Sequence, residues 1–195
     1  QYPDLADQID RMERGDLPNE WEKHLPTFPA DAKGMATRDS SSKVLSEIAA
    51  NMPWLLGGAG DLAPSTKTDL HFKFAGEFQA PQDGAQPAEN RHDYAGRNFH
   101  FGIREHAMCA IANGLSLSKL RPYASSFLIF SDYGRGALRL SAMMELPIIY
   151  IWTHDSISMG EDGPTHQAID QLAAMRAMPG LVVLRPAGAD EVVGP

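Results

Sequence analysis

Apolar residues along the chain gather in short runs that alternate with segments of helical spacing. Five short segments predict buried strands, at residues 54–56, 98–101, 127–130, 148–152 and 181–184. Between them, apolar positions recur every three or four residues and predict helices at residues 40–52, 105–117, 133–144 and 168–178. Strands that alternate with helices predict an α/β fold, in which a doubly wound, mostly parallel sheet carries helices on both faces.

Prolines and glycines divide this pattern into regions. Residues 1–36 contain four prolines and one possible helix at residues 5–14, so they predict a linker or the tail of an upstream domain. The regular alternation begins at residue 37 and continues to residue 195, which predicts one domain over 37–195. Residues 57–62 predict a glycine-rich turn, and residues 73–97 predict a long loop. Since the chain begins without methionine and stops at an apparent helix start, we expect it to be part of a longer protein.

Composition narrows the class of protein. The chain has 195 residues, 43% of them hydrophobic, and a net charge of −8, which fits a globular domain with an extension. Its one cysteine, Cys109, excludes an internal disulfide, and we expect a buried thiol in a cytoplasmic protein. No apolar stretch is long enough to span a bilayer, so we expect no membrane partner. The acidic balance argues against nucleic acid, although local arginines could hold a phosphorylated substrate.

Candidate chemistry concentrates in the loop that follows residues 148–152. This loop contains His154, Asp155, Asp162 and His166 within a short distance of a strand end, where α/β proteins place functional groups. Composition alone leaves a polar surface loop as an equal alternative. Other chemically capable side chains also fall at or just after predicted strands, and one rim of a parallel sheet could gather them: Asp61, Glu105, Phe127, Phe130 and Arg185. The histidine and cysteine spacing predicts no metal site, and no hydrolase elbow or Walker loop is present.

Three long motifs resemble the transketolase family. They are GGAGDLAPS at residues 57–65, GIREHAM at 102–108, and THDSI at 153–157 with GEDGPTHQ at 160–167. Their order and spacing match the central, pyrimidine-binding domain of that family over about residues 37–195. The resemblance implies the thiamine diphosphate-binding fold and reversible transfer of a two-carbon ketol unit between ketose and aldose sugar phosphates, through a carbanion of thiamine diphosphate.

The resemblance also implies residue roles. Glu105 matches the catalytic glutamate that shares a proton with the N1′ nitrogen of the cofactor's aminopyrimidine. His154 and His166 match further catalytic positions near the substrate. The cofactor site additionally includes Asp61, Leu62, Phe127, Phe130 and Tyr133. The substrate positions are Arg38, Ser65, His154, Asp162, His166 and Arg185.

The family's cofactor also requires a divalent metal, Mg²⁺ or Ca²⁺, whose ligands we expect in an N-terminal diphosphate-binding domain. No segment of this chain resembles that domain, and the family's C-terminal domain is also missing. The resemblance therefore implies that the full-length protein is a homodimer and that the isolated chain is inactive. Departures from the family pattern include Cys109, at a position where glycine is common.

Two alternatives remain open at the sequence level. Dihydroxyacetone synthase shares most of these motifs and transfers the same two-carbon unit to formaldehyde. A non-catalytic regulatory or assembly module could also retain the fold. The intact Glu105 and substrate positions favour an enzyme.

Overall fold

The centre of the molecule is a parallel sheet. The computed structural model describes residues 2–81 and 92–194. Six strands form the sheet in the order β3-β2-β4-β1-β5-β6, and every neighbouring pair is parallel. They are β1 Leu55–Ala59, β2 Glu77–Phe78, β3 His92–Asp93, β4 Asn98–His100, β5 Arg121–Phe127 and β6 Ile149–Thr153. The predicted α/β class with a parallel sheet is therefore confirmed.

Helices cover both faces of this sheet. They are α1 Pro3–Arg14, α2 Thr37–Asn51, α3 Ala63–Thr66, α4 Glu105–Leu117, α5 Ser131–Met143, α6 Gln171–Arg176 and α7 Ala189–Val193. Successive side chains of β5 point to opposite faces. Tyr123 packs with Leu45 and Ala49 of α2, whereas Ala124 packs with Met108 of α4 and Ala137 of α5. The doubly wound arrangement follows from this alternation.

Two of the predicted strands are wrong. The strand expected at residues 127–130 lies at Arg121–Phe127, and Leu128–Phe130 forms a short 3₁₀ helix. Ser125 and Ser126 are fully buried in β5, so their polarity conceals the strand from a hydrophobicity pattern. Residues 181–184 form no strand, although Leu181 and Val183 pack on the core while Val182 and Leu184 are exposed. Buried and exposed side chains alternate here as in a strand, but these residues form no backbone hydrogen bonds with a neighbouring strand in the described part of the chain.

The glycine-rich segment also differs from its prediction. Gly57 and Gly58 lie inside β1, and the turn begins only after Ala59. A Cβ atom on Gly58 would lie 1.9 Å from the carbonyl oxygen of Phe99 in the neighbouring strand β4. Glycine at this position is therefore required by the close approach of two strands, not by a turn.

Smaller differences concern the ends of elements. Helices were expected at residues 5–14, 40–52, 105–117, 133–144 and 168–178, and all five are present. The third has the expected bounds, the others have shifted bounds, and the last is much shorter, at Gln171–Arg176. The long loop predicted at residues 73–97 contains the two short strands β2 and β3. Residues 82–91 of that loop, and the terminal residues 1 and 195 of the two predicted regions, lie outside the described residues.

Candidate functional site

Glu105 is a buried acid at the carboxyl rim of the sheet. It is the first residue of α4, shortly after β4 ends at His100, and its side chain is 4% exposed. Ser126 Oγ donates a hydrogen bond of 3.1 Å to Glu105 Oε1. Oε2 accepts no hydrogen bond within the described residues, so this oxygen is available to an incoming donor. Gly60 leaves room beside the carboxylate, because a Cβ atom there would lie 3.4 Å from Oε1.

A row of aromatic rings continues from the end of β5. The Phe127 and Phe130 rings stack with centroids 5.9 Å apart, and the Phe130 and Tyr133 centroids are 6.1 Å apart. Phe127 is almost fully buried, whereas Tyr133 is 68% exposed. These rings offer flat apolar faces to a planar heterocycle. The His166 ring meets Phe130 edge-on at 5.4 Å, which brings this predicted residue to the same aromatic row.

His154 joins the aromatic row to a group of polar residues. It follows β6 directly and adopts a left-handed backbone with φ of 54°. Its ring stacks on Phe127 at 3.7 Å, its Nε2 lies 3.3 Å from Arg38 Nη1, and its Nδ1 lies 2.9 Å from Thr153 Oγ1. Burial, followed by the positive charge of Arg38, lowers the pKa of His154. The imidazole is therefore held neutral at physiological pH.

Four of the predicted substrate residues border one cavity of about 700 Å³. Arg38, His154, Asp162 and Arg185 all line it, together with the whole of β6. Arg185 Nε donates to Asp155 Oδ2 at 2.5 Å, and this pairing raises the pKa of Arg185. Two guanidinium groups give this cavity donors that bind an anionic group, and Arg38 is held against the His154 ring.

Three of the predicted site residues have fewer interactions with the rest of the site. Asp61 is exposed and has a left-handed φ of 60° in the turn that follows β1. Leu62 contributes its backbone carbonyl, which accepts the Ser65 and Thr66 amides at the start of α3. Ser65 accepts a 3.4 Å hydrogen bond from Arg38 Nη1 through its backbone oxygen. Among the described residues, no side-chain hydrogen bond joins Asp61, Leu62 or Ser65 to Glu105.

Two residues of the site were missed by sequence reasoning. Ser126 bonds Glu105, and Thr153 bonds the His154 ring. A predicted strand that ended at Phe127 would have drawn attention to Ser126, because the alternation of side chains along a strand places Ser126 on the face opposite Phe127. Thr153 begins the THDSI motif, but the motif assigned it no role and gave no sign of its contact with the His154 ring. Among the described residues, no group of three or more His, Cys, Asp or Glu side chains is arranged to hold a metal ion.

Comparison with known proteins gives consistent similarities. The sequence profile of the family described as transketolase, pyrimidine binding domain, matches residues 33–194. The transketolase of Geobacillus stearothermophilus is 48% identical over 191 residues, covering 97% of this chain and 26% of that protein. The transketolase of Bacillus subtilis (strain 168) is 45% identical over 191 residues, with the same coverage of 97% and 26%. This chain therefore spans about a quarter of the length of the curated relatives it matches.

Solved structures agree with the sequence comparison. A transketolase from Pichia stipitis in complex with sedoheptulose-7-phosphate superposes with a TM-score of 0.87 at 44% identity, covering 98% of this chain and 28% of that one. The transketolase from Leishmania mexicana gives a TM-score of 0.84 at 38% identity, covering 98% and 27%. Since the profile, the relatives and the structures all agree, the chain belongs to the transketolase family, of which it forms the pyrimidine-binding domain.

Proposed function

We propose that this chain is the pyrimidine-binding catalytic domain of a transketolase, which moves a two-carbon ketol unit between sugar phosphates with thiamine diphosphate. One observation carries the proposal. The buried Glu105 carboxylate stands at the sheet rim with one oxygen bonded to Ser126 and the other without a partner among the described residues. A buried acid with an available oxygen, close to a row of aromatic rings, suits a protonated aminopyrimidine.

The residues present fit the pyrimidine half of that cofactor. When bound, thiamine diphosphate supplies the nucleophilic carbon and the electron sink of the reaction. Glu105 would hold a proton at the ring nitrogen N1′ through its available oxygen, while Ser126 keeps the carboxylate in place. Phe127, Phe130 and Tyr133 would pack on the ring and exclude water from it. Asp61 and Leu62 would line the adjoining side of the cofactor.

The cavity beside β6 would take the sugar phosphate. Arg38, His154 and Arg185 supply positive charge or hydrogen bonds to a phosphate group, and we place Ser65 with them. Asp162 and His166 would bond the sugar hydroxyls near the reacting carbons. The complex of the Pichia stipitis relative with sedoheptulose-7-phosphate supports this class of substrate.

The proposal extends to the rest of the protein. We infer that a divalent ion, Mg²⁺ or Ca²⁺, binds with the diphosphate outside this domain, and that the full-length protein is a cytoplasmic homodimer. The small share of the relatives' length that this chain covers supports a site shared with other domains. Among the described residues, no helix is long and apolar enough to cross a membrane.

Substitution of Glu105 tests the proposal. In the full-length protein with saturating cofactor, Glu105→Gln should reduce ketol transfer from a ketose phosphate to an aldose phosphate about 10²- to 10⁴-fold, the usual contribution of a proton-transfer group. Glu22→Gln, at an exposed position of the N-terminal segment, is the matched control and should leave the rate unchanged. Near-normal turnover by the Glu105→Gln protein would refute the proposed role.

A substrate panel separates the alternatives. Preference for formaldehyde as acceptor would identify a dihydroxyacetone synthase instead. Cofactor binding without turnover on any ketose donor would identify a non-catalytic module.

A further inference from the structure

The His154 ring is held on three sides by residues from three different elements. Phe127 of β5 stacks on its face at 3.7 Å, and Arg38 of α2 approaches Nε2 at 3.3 Å. Thr153, the last residue of β6, places Oγ1 2.9 Å from Nδ1. Both ring nitrogens therefore have partners, and the stacked ring is fixed in its plane.

The chemistry of these partners decides which nitrogen carries the proton. A guanidinium group has only donors, so Arg38 Nη1 can bond His154 only if Nε2 offers a lone pair. The proton of the neutral imidazole must then reside on Nδ1. Thr153 Oγ1 can accept a hydrogen bond from this Nδ1–H group, because a hydroxyl group both donates and accepts hydrogen bonds.

We propose that Thr153 is a positioning residue, which acts with Arg38 to hold His154 as the Nδ1-protonated tautomer with Nε2 directed at the guanidinium. Nothing in the family's motif assignment above gives Thr153 a role. The role of Thr153 in binding a sugar phosphate rests on the proposed function. The assignment of the His154 tautomer does not.

The other charged groups near His154 are compatible with this state. Asp155 and Asp162 favour the imidazolium, and His166 and Arg38 oppose it. Burial of the ring also lowers the pKa of His154, and it is the largest influence. The neutral ring therefore prevails at physiological pH, where its tautomer matters.

This tautomer has a consequence for anion binding. In the cavity lined by Arg38, His154 and Arg185, a phosphate that attracts the Arg38 guanidinium removes the donor from Nε2. The exposed lone pair of Nε2 can then accept a hydrogen bond from a protonated oxygen of the phosphate, while the ring stays neutral. Thr153 continues to accept the hydrogen bond from Nδ1–H throughout. The ring therefore keeps its orientation while phosphate replaces Arg38 as the partner of Nε2.

The tautomer can be measured directly on the full 195-residue chain. Long-range ¹H–¹⁵N spectra of the labelled chain at about pH 8, where imidazole is neutral, distinguish a protonated Nδ1 from a protonated Nε2. We expect His154 to show protonated Nδ1, with His154→Gln identifying its signals. Thr153→Val should convert this signal to a mixture of tautomers, and Thr153→Ser should restore it. A neutral histidine side chain in water instead favours protonated Nε2, so the expected result differs from that of an unconstrained side chain.

The chain contains a matched control for the threonine. Thr165 Oγ1 lies 2.8 Å from His166 Nδ1, but the described residues place no donor on His166 Nε2. Thr165→Val should therefore alter His166 and leave the His154 signals unchanged. Protonated Nε2 at His154 in the unmutated chain, no change in Thr153→Val, or failure of Thr153→Ser to restore the signal would each overturn the proposal.

Inorganic phosphate separates this inference from the proposed function. Titration followed through the same ring signals should show saturable changes at His154, with affinity about two- to tenfold weaker in Thr153→Val, as for loss of one hydrogen bond. Equal affinity in the two proteins would overturn the role of Thr153 in anion binding. If the unmutated chain shows the expected tautomer but no saturable response, the proposed phosphate site fails while the tautomer assignment stands.

Discussion

At the scale of single residues, His154 couples protonation to folding. Burial and Arg38 lower its pKa in the folded chain, whereas in the unfolded chain it titrates near its ordinary value of about 6.5. Between these two pKa values the unfolded chain binds a proton that the folded chain does not. The free energy of unfolding should therefore rise with pH through this window, and the contribution is lost as the pH falls below about 6.5.

Urea unfolding at several pH values checks this expectation. The stability difference between the unmutated chain and His154→Gln should favour the unmutated chain more at pH 7.5 than at pH 5.5, as approximate limits of the window. His24→Gln removes an exposed histidine of the N-terminal segment and should show a smaller pH dependence. A difference that is the same at every pH would contradict the lowered pKa of His154.

Residue identities were more predictable than residue contacts. The motifs pointed to Glu105, the aromatic rings, His154 and His166, and the structure brings the rings and both histidines into contact. Ser126 was missed because the prediction misplaced β5, and the contact of Thr153 with the His154 ring was missed because no sequence pattern indicates which side chain a hydroxyl bonds. The functional roles of all the predicted site residues, including Asp61, Leu62 and Ser65, stay predictions.

At the scale of elements, the α4–α5 contact lies beside Glu105, the first residue of α4. A Cβ atom on Gly134 would lie 2.9 Å from Cys109 Sγ and 3.3 Å from the backbone oxygen of Glu105. Gly134→Ala should therefore destabilise the domain by about 1–3 kcal/mol through overpacking, despite the higher helix propensity of alanine. Chemical denaturation measures this cost.

A double substitution identifies the cause. Cys109→Ala removes the closer of the two obstructing atoms, so Gly134→Ala should cost less in its presence, with a coupling of about 0.5–3 kcal/mol. Gly114→Ala is the matched control on α4, where an added Cβ has nothing within 4 Å, and it should stabilise by about 0.5–1 kcal/mol. Strictly additive costs would show that the thiol is not the obstacle.

The periodicity of apolar residues predicted the positions of most helices and strands. It failed where buried polar residues interrupt a strand or where a predicted strand has no partner in the sheet. The helical spacing of apolar residues predicted α2, α4 and α5. Strand β5 was displaced in the prediction because two buried serines interrupt its apolar character. Residues 181–184 have strand composition, but membership of a sheet depends on a partner ladder that local sequence does not specify.

At the scale of the whole molecule, we place the groups that would hold the cofactor's diphosphate outside this domain. We expect the isolated 195-residue chain to bind thiamine diphosphate weakly and to show no ketol transfer, because we place the diphosphate and metal site in another domain. Calorimetric titration with thiamine diphosphate and Mg²⁺, followed by a ketol-transfer assay, measures both properties. Robust turnover by this chain alone would contradict a shared site.

The class of fold was predictable from the sequence, whereas the order of strands was not. Alternation of strands and helices predicts a parallel sheet with two helical layers, which the structure confirms. The order β3-β2-β4-β1-β5-β6 depends on the short strands β2 and β3, which lie within a segment whose composition indicates a loop. Strands of two residues are held by their neighbours in the sheet, so their own sequence carries little signal.

The terminal position of β6 in the sheet has a consequence for local opening. Among the described residues, β6 pairs only with β5, and its residues also line the cavity that contains Arg38 and His154. Peptide groups on the unpaired side of a strand exchange their amide hydrogens readily. Residues 149–153 should thus exchange faster than β5 in the free chain and slow when a phosphate ligand binds. The wall of the cavity would then report its own occupancy through hydrogen exchange, without any label or enzymatic turnover.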